Sequence, residues 1–161
     1  MIQVGKCKAA VQVGQCSAEV LFADVDFESL VSLYAAESRS SLLPPVSPKI
    51  ALYRQLEAVG AAKCFGAFLN GYLRGFAFVI CAPLPHDGRK YAVCESLFVH
   101  VEARRFGLGE MLMEAAEAYA MDQGCETILY SAPVGSRFAQ LLFLHEDKYS
   151  HAGFTFMRRL A

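Results

Sequence analysis

No apolar run in this chain reaches the roughly 18 to 20 residues needed to span a bilayer, and the opening MIQVGKCKAAVQVGQC lacks the apolar core of a signal peptide. A soluble, cytoplasmic protein is expected. The formal net charge of −1 supplies no long-range field for nucleic acid or an acidic membrane surface, both of which need clustered Lys and Arg, so neither is an expected partner. The six cysteines, at 7, 16, 64, 81, 94 and 125, contain no C-x-x-C pair, and several lie in strand-like apolar segments. They read as buried free thiols, with a thiol acyl-enzyme on Cys94 or Cys125 as the reactive alternative. The four histidines are scattered, and HEDKYSH lacks the H-E-x-x-H spacing that sets two imidazoles on one helical face around zinc; no metal is expected. Two nucleotide motifs fail as well. The Rossmann fingerprint wants a third glycine where this chain has Leu112, and the Gly-Lys-Ser/Thr of a P-loop never occurs.

What is present is enough for one domain. At 161 residues, 55% hydrophobic and 19% charged, the chain can bury one sizeable core and is not of disordered composition. After an N-terminal stretch of strand character, DVDFESLVSLYAAESR sets Phe27, Leu30, Val31 and Tyr34 at helical spacing behind an aspartate cap. A proline-rich loop leads to a second helix with Ser47 as N-cap, Pro48 at the first position, Leu52, Leu56 and Val59 on one face, and Gly60 as terminator. Residues 63–69 and 72–82 form a hairpin around Asn70-Gly71, and PLPHDGR turns into YAVCESLFVH. Strand alternation puts Tyr91, Val93, Glu95, Leu97 and Val99 on one face of that segment, so Glu95 is expected among apolar neighbours. From 108 to about 123, Leu108, Met111, Leu112, Ala115 and Tyr119 make an apolar helical stripe, opposite a wetter face of Glu110, Glu114 and Glu117. CETILYS is a further strand, GSRFAQLLFL a short helix and HAGFTFMRRL a closing strand, with no linker to split the order β-α-α-β-β-β-α-β-α-β.

Between the strand ending near Val99 and the long helix runs Arg104-Arg105-Phe106-Gly107-Leu108-Gly109. Backbone N–H groups at a helix start, glycines that let a ligand approach, and two arginines suit a phosphate; a plain strand-to-helix turn with surface arginines is the bland alternative. R-x-x-G-x-G after a hairpin and an ESLFV-type strand, with an amphipathic helix behind it, resembles the GNAT superfamily of acyl-CoA-dependent N-acyltransferases. The likeness is clearest from about Tyr91 to Tyr130. It implies an α/β (α+β) fold over residues 1–161, a single domain with a mixed, mostly antiparallel sheet of six to seven strands splayed after the fourth and helices on both faces. It also implies acetyl-CoA as co-substrate, with the amides of Arg104, Arg105, Phe106, Gly107, Leu108 and Gly109 on its pyrophosphate. By the same resemblance Leu97, Phe98 and Val99 pair with pantetheine and contact the thioester carbonyl. Val101 stands where the family often has proline.

The implied reaction is acetyl transfer to a primary amine of a small molecule or protein, which needs a base for the amine and an acid for the departing thiolate. Glu95 falls at the glutamate of LEDLFV-type strands in small-amine acetyltransferases and is the candidate base; its bland reading is a strand carboxylate paired with a neighbouring Lys or Arg. Two registers compete for the acid. Counting forward from Gly124 sets Ser136 at the family's Asn, with the cofactor-binding residues, Ala139 at its Ala and Phe143 at its Tyr. Counting back from Gly153-Phe154 makes Tyr149 the thiol-protonating phenol, against a bland reading as an aromatic packing where the last strand begins. The loops SRSSLLPPVSP and LPHDGR are expected to border the acceptor. The apolar HAGFTFM suggests a homodimer by strand pairing or helix packing. A non-catalytic acyl-CoA-binding module on the same fold is the rival to an enzyme.

Overall fold

Asn70 and Gly71 both take positive φ, 53° and 83°, which closes a tight hairpin between β2 (Ala62–Leu69) and β3 (Tyr72–Pro83). The structure, a computed structural model, describes residues 9–38 and 46–153. Around the hairpin, β1 (Val11–Cys16) runs antiparallel to β2, and β4 (Lys90–Val99) antiparallel to β3. β5 (Thr127–Tyr130) adds in parallel to β4, so the order is β1-β2-β3-β4-β5. The sheet is mixed and mostly antiparallel, as expected, with five strands among the described residues rather than six or seven. The expected closing strand, and with it the strand edge proposed for dimerisation, lies largely outside the described residues.

Two apolar layers hold this sheet. On one face Phe65, Ala67, Ala77, Val79, Ala92 and Val99 meet Leu108, Leu112, Ala116, Tyr119 and Ala120 of α4 (Leu108–Asp122). On the other, Cys64, Leu73, Phe76, Phe78 and Phe98 meet Ala18 and Leu21 of α1 (Ala18–Ala23) and Phe27 and Leu30 of α2 (Phe27–Glu37). α3 (Ile50–Ala58) lies on this second face, and α5 (Arg137–Leu144) follows β5. No helix among the described residues is long and apolar enough to cross a membrane.

Three local expectations change. The stretch after β1 is a short helix, because the Ser17 hydroxyl accepts from the Val20 amide at 3.2 Å and nucleates a turn. α3 starts at Ile50, not Pro48, and turns a different face inward: Leu52 and Val59 are 54% and 76% exposed, while Ile50, Tyr53 and Leu56 are half-buried. The reason is Tyr53, whose ring stacks on Phe78 with centroids 4.4 Å apart, a larger contact than either aliphatic side chain offers. In α4 the expected stripe holds, but Glu117 is no solvated residue; its side chain is 18% exposed and carries three polar contacts described below.

The largest correction concerns β4. Phe78 pairs with Ser96 and Val79 with Cys94, so Glu95 has no partner on β3 and forms a β-bulge. Before the bulge Ala92 faces α4; after it Leu97 and Val99 do, opposite Ala77 and Gly75. Tyr91 and Val93 therefore do not share a face with Leu97 and Val99. One extra residue inverts the alternation, which uniform strand spacing cannot register.

Burial pushes the Cys16 thiol up to about 11 and the Cys94 thiol to about 12, from 9.0 for an ordinary thiol. A pKa raised on folding gives a stability contribution that is whole below pH 9 and is lost as pH rises toward the folded value. Calorimetric Tm is expected to be flat in these groups from pH 7 to 8 and to fall steadily from pH 9 to 11.

Candidate active site

β5 pairs with β4 only from Tyr91 to Cys94. Past that point the outer edge of β4 has no strand partner among the described residues, and the sheet opens into a fork. Leu97, Phe98 and Val99, the expected pantetheine segment, line this free edge, and the bulge residue Glu95 sits at its apex. Unpaired backbone N–H and C=O groups of a strand edge are ready to pair with an extended ligand.

The chain leaves the fork through a 3₁₀ helix at Val101–Phe106, where the sequence pattern predicts a loop. The His100 imidazole starts it, accepting the Glu102 amide at 3.4 Å, and Ala103 plugs it into the core. Gly107 then takes φ 76°, where a side chain is strained, and turns the backbone into α4. No side chain caps α4, and its backbone bonding onto the turn begins at Met111, whose amide donates to the Gly107 carbonyl at 3.1 Å. The amides of Leu108, Gly109 and Glu110 thus lie at the positive helix end with no intrahelical acceptor, the arrangement that takes a phosphate. A Cβ on Gly109 would meet nothing nearer than Val99 Cγ2 at 3.9 Å, so space over these amides is open.

The two arginines part ways. Arg104 lies over the Phe98 ring at 5.7 Å, donates through Nε to the Val99 carbonyl at 2.9 Å and grips both oxygens of Glu37 at 2.7 and 2.6 Å. Its side chain pins the end of β4 to α2, leaving its backbone to the loop. Arg105 is exposed beside the Phe106 ring and has no ion-pair partner among the described residues, so it is the guanidinium available to an anion.

Glu95 is exposed, not embedded among apolar side chains as expected, because the bulge swings it out of the alternation. It has no Lys or Arg partner among the described residues. Instead its Oε2 accepts from the Tyr53 hydroxyl at 3.3 Å. The Tyr53 phenol is pushed up by burial first and by the Glu95 carboxylate second, and Tyr34 is raised by burial with Glu95 also contributing.

Tyr149 stands in the turn after α5, its amide bonded to the His145 carbonyl at 2.8 Å. Its hydroxyl donates to Glu117 Oε1 on α4 at 2.7 Å, its ring meets Tyr130 edge-on, and Lys148 Nζ bonds Glu117 Oε2 at 2.8 Å. The Tyr130 hydroxyl shares Glu117 Oε1 at 3.2 Å. Burial, then Glu117, raises the Tyr149 phenol. Glu95 is thus held beside α3 through Tyr53, and Tyr149 beside α4 through Glu117. In the other register, Ser136 is the N-cap of α5, its hydroxyl accepting the Ala139 amide at 3.1 Å; Ala139 is buried, and Phe143 is 58% exposed. The Cys94 thiol donates to the Ser96 carbonyl at 3.6 Å and, raised to about 12, carries almost no thiolate at neutral pH, which argues against an acyl-enzyme there. Pattern reading missed Tyr53, Glu37 and Glu117 as site residues. Tyr53 offered no signal, since it stood off the assigned face of its helix.

The model of the Acetyltransferase (GNAT) family matches residues 27–143, most of the chain, including β4, the 3₁₀ turn and α4. The chain belongs to this family. Among solved structures, the GNAT fold here resembles a ribosomal-protein-alanine N-acetyltransferase from Brucella melitensis biovar Abortus 2308, with TM-score 0.71 and 21% identity over 94% of this chain and 99% of that one. An aminoglycoside acetyltransferase from an uncultured soil metagenomic sample, solved with trehalose, gives TM-score 0.70 and 18% identity over 94% and 97%. Glucosamine-6-phosphate N-acetyltransferase from Arabidopsis thaliana gives 0.66 and 13% over 94% and 99%. No curated protein matches the sequence significantly. GNAT proteins use acetyl-CoA as co-substrate, and the uncapped α4 amides beside the open edge of β4 fit its diphosphate and pantetheine. The family match ends at Phe143, so Tyr149 lies beyond it.

Gly109→Asp adds a carboxylate where the chain has room for it and where a helix start tolerates negative charge. The variant is expected to keep its Tm within a few degrees and to lose acetyl-CoA binding by like-charge repulsion, roughly tenfold or more in calorimetric Kd. Unchanged affinity would remove the cradle.

Proposed function

We propose that this GNAT protein transfers the acetyl group of acetyl-CoA to a primary amine by direct attack. The observation that carries the reading is the fork itself: a free strand edge and an exposed carboxylate at its apex, followed at once by an uncapped helix start. Acetyl-CoA supplies the activated thioester. The amides from Arg104 to Gly109, with the Arg105 guanidinium, hold its diphosphate, and Ser136 at the start of α5 is assigned to cofactor binding with them. Backbone of Leu97, Phe98 and Val99 pairs with pantetheine and polarises the acyl carbonyl. Glu95 takes one proton from the arriving ammonium and passes it to solvent. The freed nitrogen then bonds to the acyl carbon as the carbon–sulfur bond breaks, and the second nitrogen proton ends on the CoA sulfur.

Tyr149 is the proposed relay for that proton, giving its phenol hydrogen to the sulfur while the nitrogen proton returns to its oxygen. Its proton is held by Glu117, however, and this supports a second role in which Tyr149 anchors the turn after α5 to α4 while solvent protonates CoA. The domain is read as residues 1–161, cytoplasmic and homodimeric; sedimentation finding only monomer at micromolar concentration would remove the dimer. The acceptor belongs to the amines. Relatives named for ribosomal protein, aminoglycoside and sugar-phosphate acceptors support that class without choosing within it.

Release of CoA over a broad amine panel tests the activity, and acetyl-CoA binding without any turnover would favour the non-catalytic module. With an acceptor in hand, Glu95→Gln keeps shape and hydrogen bonding but accepts no proton. It is expected to lower kcat by roughly 10² to 10⁴ and to flatten the acidic limb of the pH–rate profile. Tyr149→Phe is expected to lower kcat at nearly constant acetyl-CoA affinity, since a phenol proton matters only as the thiolate leaves. Full activity in Tyr149→Phe, with a lowered Tm, assigns Tyr149 to anchoring alone.

A further inference from the structure

The face of the fork that carries Glu95 is aromatic. Tyr53 donates to Glu95 at 3.3 Å and stacks on Phe78 at 4.4 Å, with Phe22 at 5.6 Å. Tyr34 lies 6.0 Å from Phe98 and 5.8 Å from Phe76, with Glu95 close enough to act on its phenol. The next carboxylate along, Glu37 at the end of α2, is held by both its oxygens on Arg104. Beside this aromatic cluster Glu95 is exposed and, among the described residues, has no cation partner, so its carboxylate is open to a ligand. Taking the proposed amine acetylation as its basis, we propose that Tyr53 and Tyr34, set around Glu95, select a singly charged primary amine carried on an aromatic or apolar body.

One carboxylate matches one ammonium. Ring faces beside it add cation–π attraction for that ammonium and stacking area for the body behind it. A second or third ammonium, as in a polyamine or an aminoglycoside, meets Glu37 already held by Arg104 and, among the described residues, no second free carboxylate beside these rings. A phosphorylated amino sugar brings a dianion toward Glu95, and the nearby guanidinium of Arg104 is already bound to Glu37. Tyr53 acts on specificity in two ways: its ring receives the substrate, and its hydroxyl fixes the direction of the Glu95 carboxylate.

The test compares kcat/KM for 2-phenylethylamine, spermidine and glucosamine 6-phosphate at saturating acetyl-CoA, in the full chain. 2-Phenylethylamine is expected to lead by about tenfold or more, the discrimination typical of a matched against an unmatched charge and apolar group. Tyr53→Leu is expected to raise its KM about tenfold, and Tyr53→Phe, which keeps the ring on Phe78, about threefold, with the KM for acetyl-CoA unchanged. Tyr53→Phe keeps the test valid if Tyr53→Leu fails to fold. A higher kcat/KM on spermidine or glucosamine 6-phosphate overturns this selectivity while amine acetylation stands. Equal KM for 2-phenylethylamine in the parent and a folded Tyr53→Leu overturns it too. Acetyl-CoA bound with none of the three turned over overturns the selectivity and leaves cofactor binding intact, whereas no acetyl-CoA binding overturns the underlying activity as well.

Discussion

One extra residue in β4 sets the geometry on which the rest of the site depends. An antiparallel pair keeps its alternation only while residues match one to one; where Glu95 has no partner on β3, the strand bends and the next side chains exchange faces. Three consequences follow. β5 pairs no further than Cys94, so an edge opens. Leu97 and Val99 turn toward α4 and bind its first residues into one core, which fixes the helix start against that edge. Glu95 itself swings out to Tyr53. A strand without the bulge would have carried its carboxylate into a packed face, or cost the desolvation of a charge.

A second constraint keeps the opened edge in place. β4 ends free of β5, and free strand ends fray; Arg104 prevents this by bonding the Val99 carbonyl, stacking on Phe98 and reaching across to Glu37 of α2. With 22% and 52% side-chain exposure the pair is only partly screened, and one guanidinium nitrogen of Arg104 contacts both Glu37 oxygens. The first arginine of R-x-x-G-x-G therefore works here on the scaffold, and in the proposed function anion binding is left to backbone amides and Arg105. On the far side Glu117 performs a comparable task, drawing Tyr130, Tyr149 and Lys148 together across α4 and the turn after α5.

Much of this was legible beforehand. Asn70-Gly71 announced the hairpin, the apolar stripe of residues 108–119 announced α4, and the glycines of the junction announced the turn into it; the family match covers all three. Each is a local signal, written within a single turn or a few helical turns. The errors have a common cause. Leu52, Leu56 and Val59 make a plausible helical face, yet Tyr53 wins because its partner Phe78 comes from a strand about 25 residues away. Glu117 sits at polar spacing on α4 and is read as solvated until a turn about 30 residues later closes over it.

The sequence alone determined the elements that depend on short-range chemistry: positive-φ turns, helix periodicity, and the R-x-x-G-x-G loop that needs glycine for its backbone path. Tertiary structure decided the rest, since pairing partners, not residue types, place a bulge. Nothing in CESLFV distinguishes a regular strand from one with an unpaired residue, because the difference is a count between two strands held by hydrogen bonds to β3. The environment of Glu95, the commitment of Arg104 to Glu37 and the hold of Glu117 on Tyr149 are likewise contacts across 42, 67 and 32 positions of chain. Such contacts exist only once the sheet and both helical layers have assembled, so no local pattern can encode them.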